Sequence, residues 1–205
     1  MDSLENFLKS RGIELHFEHR ENKVHDGYMS FAQKEQFTKT LLKYPNIQKI
    51  AEIGLNAGHS AEHFFQTCPN LHFFASFDMN CYPCTRIAVE YFYKTYPGRF
   101  LYIQGDSLLK VPELHKKVPA LKFDLIYIDG CHLFEWCLGD IMNCQKIASP
   151  ETLLWIDDVD SDLQNGVWAA VQLSEKLGIV RIENKFPSYD PLFGKRNWIA
   201  ARYCS

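Results

Sequence analysis

Five short apolar runs recur between residues 50 and 158, each with an acidic residue at or just after its carboxyl end. They are Ile50–Ile53 with Glu52, His72–Phe77 with Asp78, Phe100–Ile103 with Asp106, Phe123–Ile128 with Asp129, and Thr152–Ile156 with Asp157 and Asp158. The stretches between them read as helices: Ser60–Gln66, Thr85–Tyr96, a helix opened by Gly105-Asp106-Ser107, and Leu133–Ile147. Val167–Leu177 adds another helix, and Ile179–Ile182 and Asn197–Tyr203 add two more strands. Short buried strands alternating with helices predict an α/β fold, a doubly wound, mostly parallel, Rossmann-like sheet of seven strands covered on both faces. Ligands of such sheets bind beyond the carboxyl ends of the strands. A single loop acid is an ordinary turn former or helix cap, but five successive strand ends bearing acids point to a site there.

The first 45 residues form a helical extension to the 46–205 core, within one domain spanning 1–205. Ser3–Lys9 reads as a short helix ended by Gly12, and residues 14–27 as a polar, histidine-rich loop. Ser30 caps a second helix, Phe31–Lys43, which Pro45 and Asn46 stop. With 22 Lys and Arg against 25 Asp and Glu, the net charge of -3 does not favour duplex nucleic acid as a partner. The 7 cysteines are odd in number and scattered, with Cys137 and Cys144 in a predicted helix, so reduced thiols and a cytoplasmic location are expected. Cys81 and Cys84 are spaced as half of a zinc site, without a second pair to complete it. The opening Met1-Asp2-Ser3-Leu4-Glu5 has neither a basic start nor an apolar core, so no signal peptide is expected, and no run is long enough to span a membrane.

The first strand leads into Glu52-Ile53-Gly54-Leu55-Asn56-Ala57-Gly58-His59-Ser60. Glycines at 54 and 58 allow a sharp turn and close approach of a ligand, and the following helix aims its first amides at the same place. Asn56 breaks the Gly-x-Gly-x-x-Gly of dinucleotide sites, and no Gly-Lys-Ser/Thr follows to make a P-loop. The spacing Glu-x-Gly-x-x-x-Gly resembles motif I of class I S-adenosylmethionine (SAM)-dependent methyltransferases, where this loop cradles the methionine part of the cofactor. That resemblance assigns Glu52, Gly54, Asn56, Gly58 and Ser60 to the cofactor site. Asp78, 24 residues after Gly54, can accept both ribose hydroxyls. Asp106 and Ser107 would border the adenine ring, with helix capping an equal reading of Asp106.

Phe123 to Asp129 continues as Gly130-Cys131-His132-Leu133-Phe134-Glu135, with Asp140 further on, and the next strand ends Trp155-Ile156-Asp157-Asp158. Ile-Asp-Gly-x-His-x-aromatic-Glu followed by Asp-Asp resembles the metal-dependent O-methyltransferases that act on sugars of natural products, over roughly residues 28 to 160. Catechol and caffeoyl-CoA O-methyltransferases share that metal architecture. Three carboxylates at one sheet edge, Asp129, Asp157 and Asp158, would repel without a cation, and oxygen ligands select a hard one such as Mg²⁺. Such a cation would activate a substrate hydroxyl. His132 is the candidate general base, since an unperturbed imidazole titrates near neutral pH; a structural or capping histidine is the other reading. Glu135 and Asp140 are expected to support the site or the helix.

The catechol-type enzymes have Asp-Asn where this chain has Asp157-Asp158, and Lys where it has His132, so the resemblance leans toward the sugar-modifying group. Their Pro-Gly-Gly before the last metal strand is replaced by Ser149-Pro150-Glu151-Thr152, which puts that turn's geometry in question. Asp26-Gly27-Tyr28-Met29-Ser30 offers lid residues Tyr28 and Met29, unless they only pack the N-terminal helix. Asn165 to Trp168 and Phe186 to Asn197 could wall the acceptor pocket. The expected partner is a small hydroxylated acceptor, with a homodimer left open. The alternatives are a metal-independent class I methyltransferase acting on nitrogen or a macromolecule, a nicotinamide enzyme, and a non-catalytic binding protein.

Overall fold

The computed structural model of the protein describes residues 3–13, 15, 27–159, 166–190 and 194–204. Asp26, Asn165 and most of the predicted 14–27 loop therefore lie outside the described residues. Two helices, α1 (Leu4–Ser10) and α2 (Phe31–Leu41), precede the first strand. Strand and helix then alternate as β1 (Lys49–Ile53), α3 (His59–Thr67), β2 (Phe73–Asp78), α4 (Pro83–Thr95), β3 (Phe100–Gln104) and α5 (Ser107–Lys117). The chain continues through β4 (Phe123–Ile128), α6 (Phe134–Cys144), a 3-10 turn (Gln145–Ile147), β5 (Ala148–Ile156) and α7 (Val167–Lys176). It ends with β6 (Val180–Phe186), β7 (Tyr189–Asp190), β8 (Gly194–Lys195) and β9 (Trp198–Tyr203).

The seven-stranded sheet has the order β3-β2-β1-β4-β5-β9-β6. Its first five strands are parallel, and β9 runs antiparallel between β5 and β6. Alternate residues of each strand point to opposite faces. Ile50, Phe74, Leu125 and Trp155 join one core, with α1 to α4. Ala51, Ala75, Ile126 and Ile156 join the other, with α5 to α7. The order reverses between β1 and β4, so the loops after these strands flank the crevice where a ligand enters. No described helix is long and apolar enough to cross a membrane.

Two local features differ from the expectation. Ser149-Pro150-Glu151 is not a free turn but part of β5, beside a register shift opposite Phe123 and Leu125. The Thr152 hydroxyl donates to the Phe123 carbonyl at 2.6 Å and accepts from the Ser149 amide at 2.7 Å, so a side chain closes what two glycines would otherwise allow. Strand β6 runs past the expected end at Ile182 to Phe186, the first residue of the stretch read as a pocket wall, because antiparallel pairing with β9 supplies its hydrogen bonds. Its exposed Arg181, Glu183, Asn184 and Lys185 conceal it from any hydropathy pattern.

Helix α2 docks through Phe37, whose ring lies 4.7 Å from that of Trp198, 4.8 Å from Trp155 and 5.5 Å from Tyr127. Edge-on aromatic contacts of this kind add to ordinary apolar burial. Gln36 ties the helix further, accepting from the Trp198 indole at 2.9 Å and donating to the Pro187 carbonyl at 2.7 Å. One turn earlier, Gln33 is thereby placed over the ends of β4 and β5.

Candidate active site

Four backbone hydrogen bonds carry the parallel ladder just past the strand ends. Gly54 donates to Phe77, Gly105 to Asp78, Asp129 to Ile53 and Asp157 to Ile128, at 2.8 to 3.0 Å. The loops after β1, β2, β3, β4 and β5 therefore leave the sheet from one level. Above them lies a cavity of about 810 Å³. It is lined by Gly54 and Asn56 from the loop after β1, Ser60 from the first turn of α3, Asp78 at the end of β2, and Asp106 and Ser107 at the start of α5. Asp129, His132 and Trp136 line it from the segment after β4, Asp158 from the end of β5, on the other side of β1, and Arg196 lines it as well. Tyr28 and Gly27 reach it from the N-terminal segment, whereas Met29 is buried in the core and Trp168 packs against the α5 to α7 side.

Gly54 cannot carry a side chain. Its φ is +93°, and a Cβ there would lie 2.2 Å from the Asp129 carbonyl oxygen. The close approach of the first and fourth loops depends on this residue. Gly58 (φ +84°) does the same for α3 against α4, since a Cβ would meet the Phe92 ring at 2.5 Å.

Glu52 and Gly58 lie behind the cavity and do not line it. The Glu52 carboxyl is fully buried and accepts from Ser60 at 2.5 Å and Ser76 at 2.8 Å. Burial pushes its pKa up to about 8, against the opposing effect of these two hydroxyls. Glu52 thus holds Ser60 and the first turn of α3 in place from beneath. Asp78 accepts from the Leu55 and Asn56 amides at 2.9 and 3.0 Å through Oδ2, and from the Asn80 amide at 2.6 Å through Oδ1. It both shapes the glycine loop and faces the cavity. Asp106 caps α5, accepting from Leu108 at 2.9 Å, and also lines the cavity, so its two readings are compatible. Asp140 is buried beneath the loops. Burial raises its pKa to about 7, while a hydrogen bond with Ser107 acts in the other direction.

At the end of β5 the two adjacent aspartates divide. Asp157 turns inward: its Oδ2 accepts from the Tyr127 hydroxyl at 2.6 Å and the Gln33 amide at 2.5 Å, and its Oδ1 accepts from the Asp158 amide at 2.8 Å. Asp158, at φ +51°, turns into the cavity. Its Oδ2 lies 3.3 Å from His132 Nε2 and its Oδ1 2.7 Å from Arg196 Nε. Asp129, His132 and Asp158 each offer one donor atom within 4.8 Å of the others. The trio that converges therefore contains His132 where Asp157 was expected. Burial, followed by the charges of Asp157 and Asp158, raises the Asp129 pKa well above the usual carboxylate range. Burial and Asp158 also raise that of Asp157. Burial opposes the charge of Arg196, but Asp158, Asp157 and Asp129 outweigh it and hold the guanidinium protonated.

Arg196, Tyr127 and Gln33 were not among the residues singled out from sequence. Arg196 lies in no motif and is 38 positions from Asp158; only the pairing of β9 with β5 brings it there. The signal that could have found it is the demand of three clustered acids for a positive charge, which an arginine can meet as well as a metal.

A family model described as a methyltransferase domain matches residues 51–159, more than half of the 205-residue chain. The chain belongs to this family. The match runs from β1 through Val159, so it includes the glycine loop, Asp78, Asp106, Asp129, His132 and Asp158, and leaves out Arg196. No curated protein matches the sequence significantly. Among solved structures, this methyltransferase is similar to the O-methyltransferase from Bacillus cereus in complex with SAH, at 18% identity and a TM-score of 0.74, over 99% of this chain and 91% of that one. It is similar to the O-methyltransferase TomG from Streptomyces achromogenes, involved in tomaymycin synthesis and solved with SAM, at 15% identity and a TM-score of 0.74, over 100% and 91% of the two chains. The N-methyltransferase NodS from Bradyrhizobium japonicum is also similar, at 14% identity and a TM-score of 0.65, over 84% of this chain and 95% of that one. At these identities the likeness is one of fold.

Proposed function

We propose that this methyltransferase uses SAM to methylate a hydroxyl group of a small molecule. The observation that carries this reading is one cavity spanning five strand ends, with Asp78 and Asp106 at the β2 and β3 ends on one side of β1, and His132 against Asp158 beyond the β4 and β5 ends on the other. Carboxylates suit a ligand bearing ribose hydroxyls and a positive sulfonium, and the loop between Gly54 and Gly58 leaves room for its approach. When bound there, SAM supplies an electrophilic methyl group.

The chain's own residues then have to free a lone pair on the acceptor and hold it in line. His132 Nε2 faces Asp158, which orients the ring and leaves Nδ1 available to take the acceptor's hydroxyl proton. Arg196, which lines the same cavity, would stabilise negative charge developing on the acceptor oxygen, and Asp129 positive charge developing on the imidazole. Trp136 and Tyr28 give the acceptor apolar surfaces, which suits a small molecule better than a polymer. Asp129, His132 and Asp158 also fit one divalent cation; with the cation bound, His132 would be its ligand in place of acting as the base, and the cation would supply the polarisation that lowers the hydroxyl's pKa. The two carboxylates suit Mg²⁺ or Mn²⁺, and the imidazole widens the choice toward transition ions that take nitrogen ligands. Asp157 then serves from behind, through Tyr127 and Gln33. Helices α1 and α2 belong with the catalytic core to a single unit, α2 being tied to it through Phe37 and Gln36.

Incubating the protein with methyl-labelled SAM and a panel of sugars, phenols and other small alcohols tests the reading. Label is expected in an ether-linked methyl group of at least one. Label recovered only in amines would replace O-methylation with N-methylation.

A further inference from the structure

The acid cluster already contains a cation. Arg196 is largely buried, with a side chain 17% exposed, and its Nε lies 2.7 Å from Asp158 Oδ1. It arrives on the β8–β9 connection, where its amide donates to the Ser188 carbonyl at 2.9 Å. The neighbouring Asn197 carbonyl accepts from the Val159 amide, also at 2.9 Å. One backbone bond between residues 159 and 197 thus sets Asp158 and Arg196 opposite each other. Asp158 adopts its left-handed backbone conformation at that point, and such a conformation in a non-glycine residue persists only where its surroundings enforce it.

From these contacts we propose that Arg196 is the resident counter-cation of this site, and that a divalent ion can use Asp158 only by displacing it. The inference rests on the cation-binding reading of Asp129, His132 and Asp158 given above. Two positive charges cannot share one carboxylate at this range without strong repulsion, because a guanidinium some 4 Å from an ion is poorly screened in a buried site. The Arg196 contact is also displaceable. Although Nε and Oδ1 are close, Nε forms no hydrogen bond of acceptable geometry, so the pair is held by charge rather than by a directed bond. The consequence is a low affinity for divalent metal that depends on the position of the β8–β9 connection.

The test is calorimetric titration of the full chain with MnCl₂, comparing wild type with Arg196→Gln. Weak saturable binding is expected in the wild type, tightened at least about tenfold in Arg196→Gln. Arg196→Lys, which keeps the charge, is expected to stay within about threefold of wild type. Equal or weaker binding in Arg196→Gln, or no Mn²⁺ binding in either chain, would overturn the proposal. A second readout needs no variant: the Arg196 Nε–H resonance of the wild-type protein should shift as Mg²⁺ is added. Metal binding with that resonance unmoved would equally overturn it. Neither result touches the methyltransferase reading, which the labelled-SAM incubation reports independently.

Discussion

Gly54→Ala is expected to destabilise the protein by about 3 kcal/mol or more and to abolish SAM binding by whatever fraction remains folded. Two penalties coincide. The backbone at φ +93° is unfavourable for any residue with a Cβ, at about 1–2 kcal/mol. The new methyl group would also lie 2.2 Å from a backbone oxygen, that of Asp129, which cannot turn aside as a side chain could. Moving it would strain the Asp129–Ile53 hydrogen bond of 2.9 Å and separate the loop that carries His132 from the glycine loop proposed to hold SAM. Gly98 provides the comparison. Its φ is +73°, but a Cβ there meets nothing within 4 Å, so Gly98→Ala should cost only about 1 kcal/mol. Urea unfolding of the two variants decides the matter. Equal losses of stability would mean that the close approach of the two loops does not constrain residue 54.

His132→Gln is expected to lower methyl transfer by a factor of about 10²–10⁴ while leaving SAM affinity within about threefold of wild type. Glutamine keeps a polar side chain of similar reach but cannot accept and carry a proton at neutral pH. The ring faces Asp158 beyond the β4 and β5 ends, across β1 from Asp78 at the end of β2, so the loss should fall on turnover and not on the cofactor. Full activity in this variant would remove His132 from the chemistry and leave the histidine as a partner of Asp158 only. A matching loss of SAM affinity would place it in the cofactor site instead.

The parallel half of the fold was legible because its strands are buried on both faces, so each reads as a short apolar run bounded by a polar strand end. The acids at those ends marked the cavity, since the site lies where the strands stop. The antiparallel half was less legible. Strand β6 lies at the sheet edge, with Arg181, Glu183 and Lys185 exposed, and owes its conformation to β9 rather than to its own pattern. The Asp157-Asp158 pair showed a second limit. Which carboxylate faces the cavity is set by the left-handed turn at Asp158, and by Gln33 and Tyr127 drawing Asp157 inward. Neither influence is local in sequence. Tyr127 read simply as an apolar position of β4, and its hydroxyl matters only because Asp129 and Asp157 converge on it at 3.2 and 2.6 Å. Arg196 gave no local signal, and it alters the electrostatics most, because it answers the repulsion that first suggested a metal.

Calorimetric titration of the purified protein with SAM, in buffer with and without Mg²⁺, tests the central claim most directly. Saturable binding at one site per chain is expected in both buffers, since Asp78 and Asp106 lie at the ends of β2 and β3, on the opposite side of β1 from the β4 and β5 ends that carry Asp129, His132 and Asp158. No binding in either buffer would contradict it.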